Sequence, residues 1–342
     1  MLFCNSLIIN LSLRCSIRNL DFFFSVKMPT GLDIIFVILS IAEFTIGILG
    51  NVFIGLVNCS EWVKNQKISL ANFILTCLAI FRISQLLVLL FKSLILGLSL
   101  HLHLTYTIAK LMSLLWRITD HLTTWLATCL SIFYLLKIAY FSHPLFLWLK
   151  LRLNRVIPVT FLFSLFFLIV DFLLLEIFND FFLNVYILDK SNLTLFIVES
   201  KTHYVETLIL LSLTCFFPIV LSLTSLLLLF LSLVRHIRNL QLNSMSSRDS
   251  STEAHKKAIR MVMSFFFLFI VHFFSIQVAS WLFLMTWINK FAKFAVLAVY
   301  IFPSGHPFIL IVGNSQLRQT ILKVLWHLKS FSKRENLLQI YR

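Results

Sequence analysis

Long apolar stretches separated by short polar breaks dominate this sequence. A helix needs about 20 apolar residues to cross roughly 30 Å of hydrocarbon, and seven stretches are long enough. They cover residues 33–58, 69–91, 106–137, 156–178, 205–234, 260–285 and 294–313. The pattern predicts an all-α membrane protein, a seven-transmembrane helix bundle. The longest connections, near 179–204 and 235–259, are expected to form an extracellular lid and a cytoplasmic contact loop.

Composition supports the membrane assignment and excludes other classes. Of 342 residues, 59% are hydrophobic and only 13% are charged, whereas a soluble domain is about 45–50% apolar and about 25% charged. The chain therefore has too little polar surface to cover itself in water. The net charge of +15 is better explained as a topology signal than as a nucleic-acid footprint, so no nucleic-acid partner is predicted.

Basic residues set the expected orientation because they stay on the cytoplasmic side during insertion. Loops one, three and five and the C-terminal tail carry most of the loop Lys and Arg residues, whereas the other loops, to which Lys92 is assigned, carry few. The N-terminus is therefore predicted to be extracellular and the C-terminus cytoplasmic. The glycosylation acceptor Asn192-Leu-Thr194 falls on a predicted outer loop, in agreement. Asn58-Cys-Ser60 matches the same pattern on the cytoplasmic side, where no glycan is added.

The chain divides into three parts. Residues 1–27 contain an apolar stretch broken by Arg14 and Arg18, which makes a poor signal peptide, and Met28 is a plausible alternative start. We interpret 1–27 as a doubtful N-terminal extension, 28–313 as the seven-transmembrane domain and 314–342 as a basic cytoplasmic tail. No cysteine pair is left on the predicted outer side, so a disulfide there is not expected.

Polar residues near the middle of the predicted spans are costly in hydrocarbon and each needs a partner or a cavity. Asn51 and Arg82 lie at that depth in spans one and two, where an amide and a guanidinium can share a buried network with span seven. We favour a structural switch there over a ligand contact. His306 is a candidate third member, and an ordinary core histidine is an equally good interpretation.

Span three carries Trp116, Asp120 and His121 at i, i+4 and i+5, so the first two stack on one face with His121 beside them. An aromatic wall with one or two polar groups is what a small-molecule pocket needs. The alternative is helix packing around Trp116, with Asp120 paired to Arg117 or to another span.

Signals of catalysis are missing from the sequence. It has no phosphate-binding glycine loop, no metal-spaced histidine pair on a helix and no paired carboxylates. We therefore expect no enzyme activity and no cofactor or metal. A transporter is an alternative class, because intramembrane Glu43, Arg82, Asp120 and Asp171 can form an ion path. It is weaker because the sequence shows no inverted repeat.

Several long motifs in order carry a family resemblance. The run 125–144, WLATCLSIFYLLKIAYFSHP, resembles the span-three signature of type 2 taste receptors, the bitter taste family. The likeness continues in four further segments, LGN at 49–51, LSLVRH at 231–236, RDSSTEAH at 248–255 and HPFIL at 306–310. A vomeronasal-type pheromone receptor is an alternative within receptors, and the span-three and span-seven motifs favour taste.

The resemblance implies a G-protein-coupled receptor of the plasma membrane that binds bitter compounds and activates a gustducin-like heterotrimeric G protein. It assigns Trp116, Asp120 and His121 to the ligand pocket, and Arg82 and His306 to the family's span-two arginine and span-seven histidine. Asp120 stands where asparagine is usual, which would favour cationic agonists if it is ionised and unpaired. Pro307 stands where serine is common.

Basic groups at the predicted cytoplasmic ends are the expected contacts for the G protein, whose α subunit presents an acidic helix end. Positive-inside topology alone would also place them there. These residues are Lys137, His236, Lys256, Lys257 and Arg260.

Overall fold

A computed structural model describes the backbone of residues 30–66, 69–97, 106–188, 193–243, 250–285 and 290–340, with side chains described away from most helix ends. All regular structure in these segments is α-helical. The helices are α1 (Gly31–Asn65), α2 (Leu70–Gly97), α3 (Tyr106–Ile138), α4 (Pro144–Leu151), α5 (Leu153–Leu188), α6 (Leu193–Asn243), α7 (Ser250–Met285), α8 (Lys290–Gly313) and α9 (Ser315–Ile340). Seven of them, all except α4 and α9, are long and apolar enough to cross a membrane. The predicted all-α architecture with seven spans is confirmed.

The helices continue well past the apolar stretches that predicted them. The segment expected as an outer lid is helical over 179–188 and 193–204, and the segment expected as a cytoplasmic loop is helical over 235–243 and 250–259. The prediction of two long loops was wrong at those residues. A helix satisfies its backbone hydrogen bonds internally, so it does not have to end where the apolar residues end.

Two further helices have local sequence signals. The His143 ring accepts a hydrogen bond from the Leu145 backbone nitrogen at 3.3 Å, and Pro144 occupies the first turn of α4, where its missing N–H costs nothing. Asn314 Oδ1 accepts from the backbone nitrogens of Gln316 and Leu317 at 3.0 and 3.4 Å. An asparagine cap therefore starts α9 within the predicted basic tail.

Helix α3 forms the centre of the bundle. Of its spanning window, 78% is buried, compared with 17% for α5 and 22% for α1. It packs against α2, α5 and α6, while α8 packs against α1 and α7. The outward faces of the peripheral helices carry large apolar side chains such as Leu49 and Phe166, which are 65% and 60% exposed and suit contact with lipid.

Candidate functional site

Asp120 connects three helices in the half of the bundle nearer the start of α3. Its side chain is buried, and its Oδ1 accepts a hydrogen bond from Gln85 Nε2 of α2 at 3.1 Å. The same oxygen lies 3.4 Å from His272 Nε2 of α7. Asp120 is therefore engaged by other spans, while Arg117 has a different partner.

Trp116 lies one turn before Asp120 and also faces α2. The Lys92 ammonium lies 4.9 Å from the centre of its ring, a cation–π distance. The indole packs against an apolar layer from α2 and α8 that includes Leu89 and Tyr300. We call Gln85, Lys92, Trp116, Asp120 and His272 the Trp116 cluster.

Sequence reasoning missed two members of this cluster. Lys92 was assigned to an outer loop, but α2 extends to Gly97 and holds it inside the helix. Gln85 follows Arg82 by three residues, a spacing that places both on one helix face. That spacing was the available signal for Gln85.

His121 points to a different neighbour. Its Nδ1 lies 2.9 Å from Asp171 Oδ2 of α5, and its Nε2 lies 3.0 Å from the Ser164 carbonyl oxygen. Both ring nitrogens of His121 therefore lie within hydrogen-bond distance of an oxygen on α5. The structure thus brings Trp116 and Asp120 together and places His121 on the side of α3 that faces α5.

Asp171 is the hub of this second group. Arg117 Nη2 lies 2.5 Å from Asp171 Oδ1, and Thr214 Oγ1 of α6 donates to the same oxygen at 2.6 Å. Arg117 also donates to Cys215 Sγ at 3.2 Å. A buried carboxylate is tolerated in a membrane bundle when it is paired in this way, and this one connects α3, α5 and α6.

Arg82 and His306 meet at the centre of the bundle. Both are buried, and Arg82 Nη1 donates to His306 Nδ1. The guanidinium lies 4.8 Å from the centre of the Phe302 ring, and the imidazole packs against Phe265 at 4.4 Å. Because arginine only donates, His306 Nδ1 must be the acceptor, so the imidazole is neutral with its proton on Nε2.

Asn51 joins α1 to the same region of α8. Its Nδ2 donates to the Pro303 carbonyl at 3.1 Å and to the Gly47 carbonyl at 2.8 Å. In a helix the Pro303 carbonyl would accept from residue 307, but Pro307 has no N–H to give. Asn51 supplies the missing donor. Among the described residues no hydrogen bond joins Asn51 to Arg82. The two side chains bind α8 separately, at Pro303 and at His306.

The opposite end of the bundle carries the expected G-protein contacts. Lys137 at the end of α3, His236 in α6 and Arg260 in α7 are exposed. Lys256 and Lys257 lie in the helical backbone of α7, but their side chains are outside the described residues, as is Asn192. Towards this end a small apolar cavity lies among α3, α6, α7 and α8. Its lining includes Tyr134, Leu226, Met261, Phe265 and Leu310.

Comparison with known proteins places this bundle in a family. Residues 28–329 match the family described as taste receptor protein (TAS2R). Taste receptor type 2 member 42 of Pan troglodytes is 63% identical over 316 residues, 92% of this chain and 100% of that relative. The protein of that name from Homo sapiens is 62% identical over 316 residues, again 92% of this chain and 100% of that relative. Taste receptor type 2 member 7 of Papio hamadryas is 42% identical over 305 residues, 86% of this chain and 94% of the relative.

These similarities favour neither the transporter nor the vomeronasal-type interpretation, because the family and the relatives are taste receptors. They cover nearly all of the seven-helix bundle rather than a single motif. By sequence and by architecture, the chain belongs to the taste receptor protein (TAS2R) family.

Proposed function

We propose that small bitter agonists bind this receptor at Trp116 and Asp120 and act through α2, α7 and α8. The chain is a G-protein-coupled bitter taste receptor, a multi-pass protein of the plasma membrane. One observation carries the proposed site: Trp116 and Asp120 share a face of α3, and their partners come from α2 and α7. A ligand there touches three helices at once. His121 supports this site from the α5 side, where it holds α3 in position.

The proposed topology puts the N-terminus outside, the receptor domain at 28–313 and the tail at 314–342 inside. The start of α3 then faces outward, so the Trp116 cluster lies in the outer half, where a compound from the extracellular side can reach it. This orientation rests on the distribution of basic residues along the sequence.

Transmission from the site has a short route. Gln85 binds Asp120, and Arg82, nearly one turn away on α2, contacts His306 of α8. An agonist that binds one arrangement of Gln85 and His272 more tightly shifts α2 and α7 relative to α8, because a ligand moves a two-state equilibrium through its differential affinity. Asn51, Arg82 and His306 would then act as the switch.

At the inner end we propose that α6 and α7 separate and accept the C-terminal helix of a gustducin-like G-protein α subunit. The small apolar cavity that α6 and α7 line together with α3 and α8 supports this, because side chains next to a void lose part of their packing contacts. The basic side chains around this end then meet the acidic, carbonyl-rich end of that helix. The chain itself catalyses no reaction in this scheme and needs no cofactor.

The test is calcium release in cells that express residues 28–342 with a promiscuous G protein, screened against a bitter-compound panel. We expect an agonist whose potency falls at least about tenfold in Trp116→Ala, since an aromatic wall contributes on the order of 1–2 kcal/mol. Asp120→Asn should change potency without abolishing surface expression.

Trp62→Ala is the matched control. Trp62 is 53% exposed and lies in the last turn of α1, at the end of the bundle away from the Trp116 cluster. Equal responses of the Trp116 and Trp62 variants, at equal surface expression, would refute the proposed pocket. Silence of the surface-expressed receptor towards the whole panel would contradict the proposed agonist class.

A further inference from the structure

We infer that the Trp116 cluster selects acidic agonists, with a carboxylate or sulfonate paired to Lys92 and the apolar body of the compound against Trp116. This inference rests on the proposed function and names the ligand class of the same site. It reverses the expectation that Asp120 favours cationic compounds.

Lys92 is a cation without a counter-ion in the described part of the chain. Its ammonium lies over the Trp116 ring at 4.9 Å, and no described carboxylate lies within ion-pair distance of it. The side chain is only partly exposed, inside the spanning part of α2. A charge in that position is costly when unpaired, and an organic anion would offset the cost.

The acids of α3 and α5 that could compete for Lys92 have partners of their own, and Glu43 of α1, whose Oε2 has no hydrogen-bond partner, forms no ion pair with Lys92 among the described residues. Asp120 Oδ1 accepts a hydrogen bond from Gln85 and lies 3.4 Å from His272 Nε2. Asp171 is bound by Arg117, on the α5 side of α3. Neither is paired with Lys92, so the ammonium is left for a ligand.

A cationic agonist finds no equivalent place. The Lys92 ammonium already occupies the face of Trp116 on which a cation would stack. Asp120 lies one turn deeper than the Trp116 ring, and its Oδ1 already accepts a hydrogen bond from Gln85. A ligand ammonium at Trp116 would also be repelled by Lys92. The expected order of affinity is acid, then amide, then amine.

The experiment measures binding without a G protein. Purified receptor in detergent micelles is titrated with naphthoic acid, naphthamide and naphthylmethylamine, three probes with one ring system and different charge. The readout is the ligand-dependent rise in the unfolding midpoint, from which relative affinities follow. The acid should bind most tightly to the unmodified receptor.

Two substitutions at Lys92 separate charge from shape. Lys92→Met keeps the length of the side chain and should weaken binding of the acid by about tenfold or more, in line with the loss of a close charge pair. Binding of the amide should be nearly unchanged. Lys92→Arg should retain the preference for the acid. Lys64→Met is the matched control, because Lys64 is exposed at the far end of α1 and should change nothing.

Several outcomes overturn the inference. They are failure of the acid to stabilise the receptor, equal or tighter binding of the amine, and an unchanged acid affinity in Lys92→Met. A loss of acid affinity in Lys64→Met would show a non-specific charge effect and would also overturn it. Failure of the proposed function gives a different result. If the acid binds through Lys92 but produces no calcium response, the inference about the ligand class stands and the proposed G-protein coupling is contradicted.

Discussion

A single amide repairs the backbone defect that a proline creates in α8. Pro307 cannot donate to the Pro303 carbonyl, and Asn51 Nδ2 reaches across from α1 to do so at 3.1 Å. An unsatisfied carbonyl inside the bundle would cost about 1–3 kcal/mol. Asn51 therefore has a structural role whether or not it also takes part in switching.

This hydrogen bond predicts that substitutions at Asn51 and Pro307 have non-additive effects on the free energy of unfolding. Asn51→Ala should lower the free energy of unfolding by about 1–3 kcal/mol, because it leaves the Pro303 carbonyl without a donor. In a Pro307→Ala background the loss should be smaller, since an alanine at that position supplies the missing N–H within the helix. Thermal unfolding of the four purified proteins measures both effects. Strict additivity would show that Asn51 stabilises the receptor by some other contact.

At the scale of elements, the close approach of α1 to α8 depends on two glycines. A Cβ at Gly47 would lie 2.7 Å from Leu86 Cδ1 and 2.9 Å from Ser304 Oγ, and one at Gly50 would lie 2.9 Å from Pro307 Cβ. Ser304 Oγ donates to the Glu43 carbonyl at 3.0 Å across the same interface. The absence of side chains at the two glycines lets the backbones come close enough for these hydrogen bonds.

Substitution by alanine should destabilise the receptor at these two positions but not at a third glycine of α1. Gly47→Ala is expected to destabilise the receptor by about 1–3 kcal/mol, because it overpacks a filled interface. Gly55→Ala on the same helix is the control. Nothing lies within 4 Å of its Cβ position, and it should be neutral or stabilising by up to about 1 kcal/mol. Unfolding midpoints and surface expression provide the comparison, and equal effects at Gly47 and Gly55 would contradict the packing argument.

At the scale of the whole molecule, two polar clusters divide the contacts of α3. The Trp116 cluster faces α2 and α7, and the Asp171 group faces α5 and α6. The first suits a site that changes on binding, because it contains hydrogen-bonding capacity that is not filled. His272 has no hydrogen-bond partner in the described structure, although it lies 3.4 Å from Asp120. The second, with its Asp171 carboxylate bonded on both oxygens, suits a fixed frame.

Orientation of the whole chain is tested by its glycosylation sites. If the N-terminus is outside, Asn192 carries a glycan in mammalian cells and Asn58 does not, because glycans are added only on the outer side. In the receptor expressed from residue 28, which lacks the further acceptor Asn10-Leu-Ser12, enzymatic removal of N-glycans should then change the gel mobility of the unmodified receptor and of Asn58→Gln, but not of Asn192→Gln. A glycan that depends on Asn58 would invert the predicted topology.

The sequence predicted much of this architecture because the bilayer makes it a one-dimensional problem. Apolar length measured against bilayer thickness is a property of the chain alone, so the seven spans and the all-helical class followed directly. The family motifs in span three are also continuous in sequence. Helix ends were predicted less well, because a helix satisfies its own hydrogen bonds beyond the hydrocarbon.

The partners of the polar side chains were decided by the tertiary structure. Asp120 and His121 are adjacent in sequence but about 100° apart around a helix, so they face different neighbours, α2 and α5. Lys92 became part of the candidate site only because α2 continues past the apolar stretch and faces Trp116. By itself the sequence determined how many helices cross the membrane and which polar residues they carry. Which residues meet depends on how each helix is rotated about its axis, and that is fixed by packing between segments far apart in the chain.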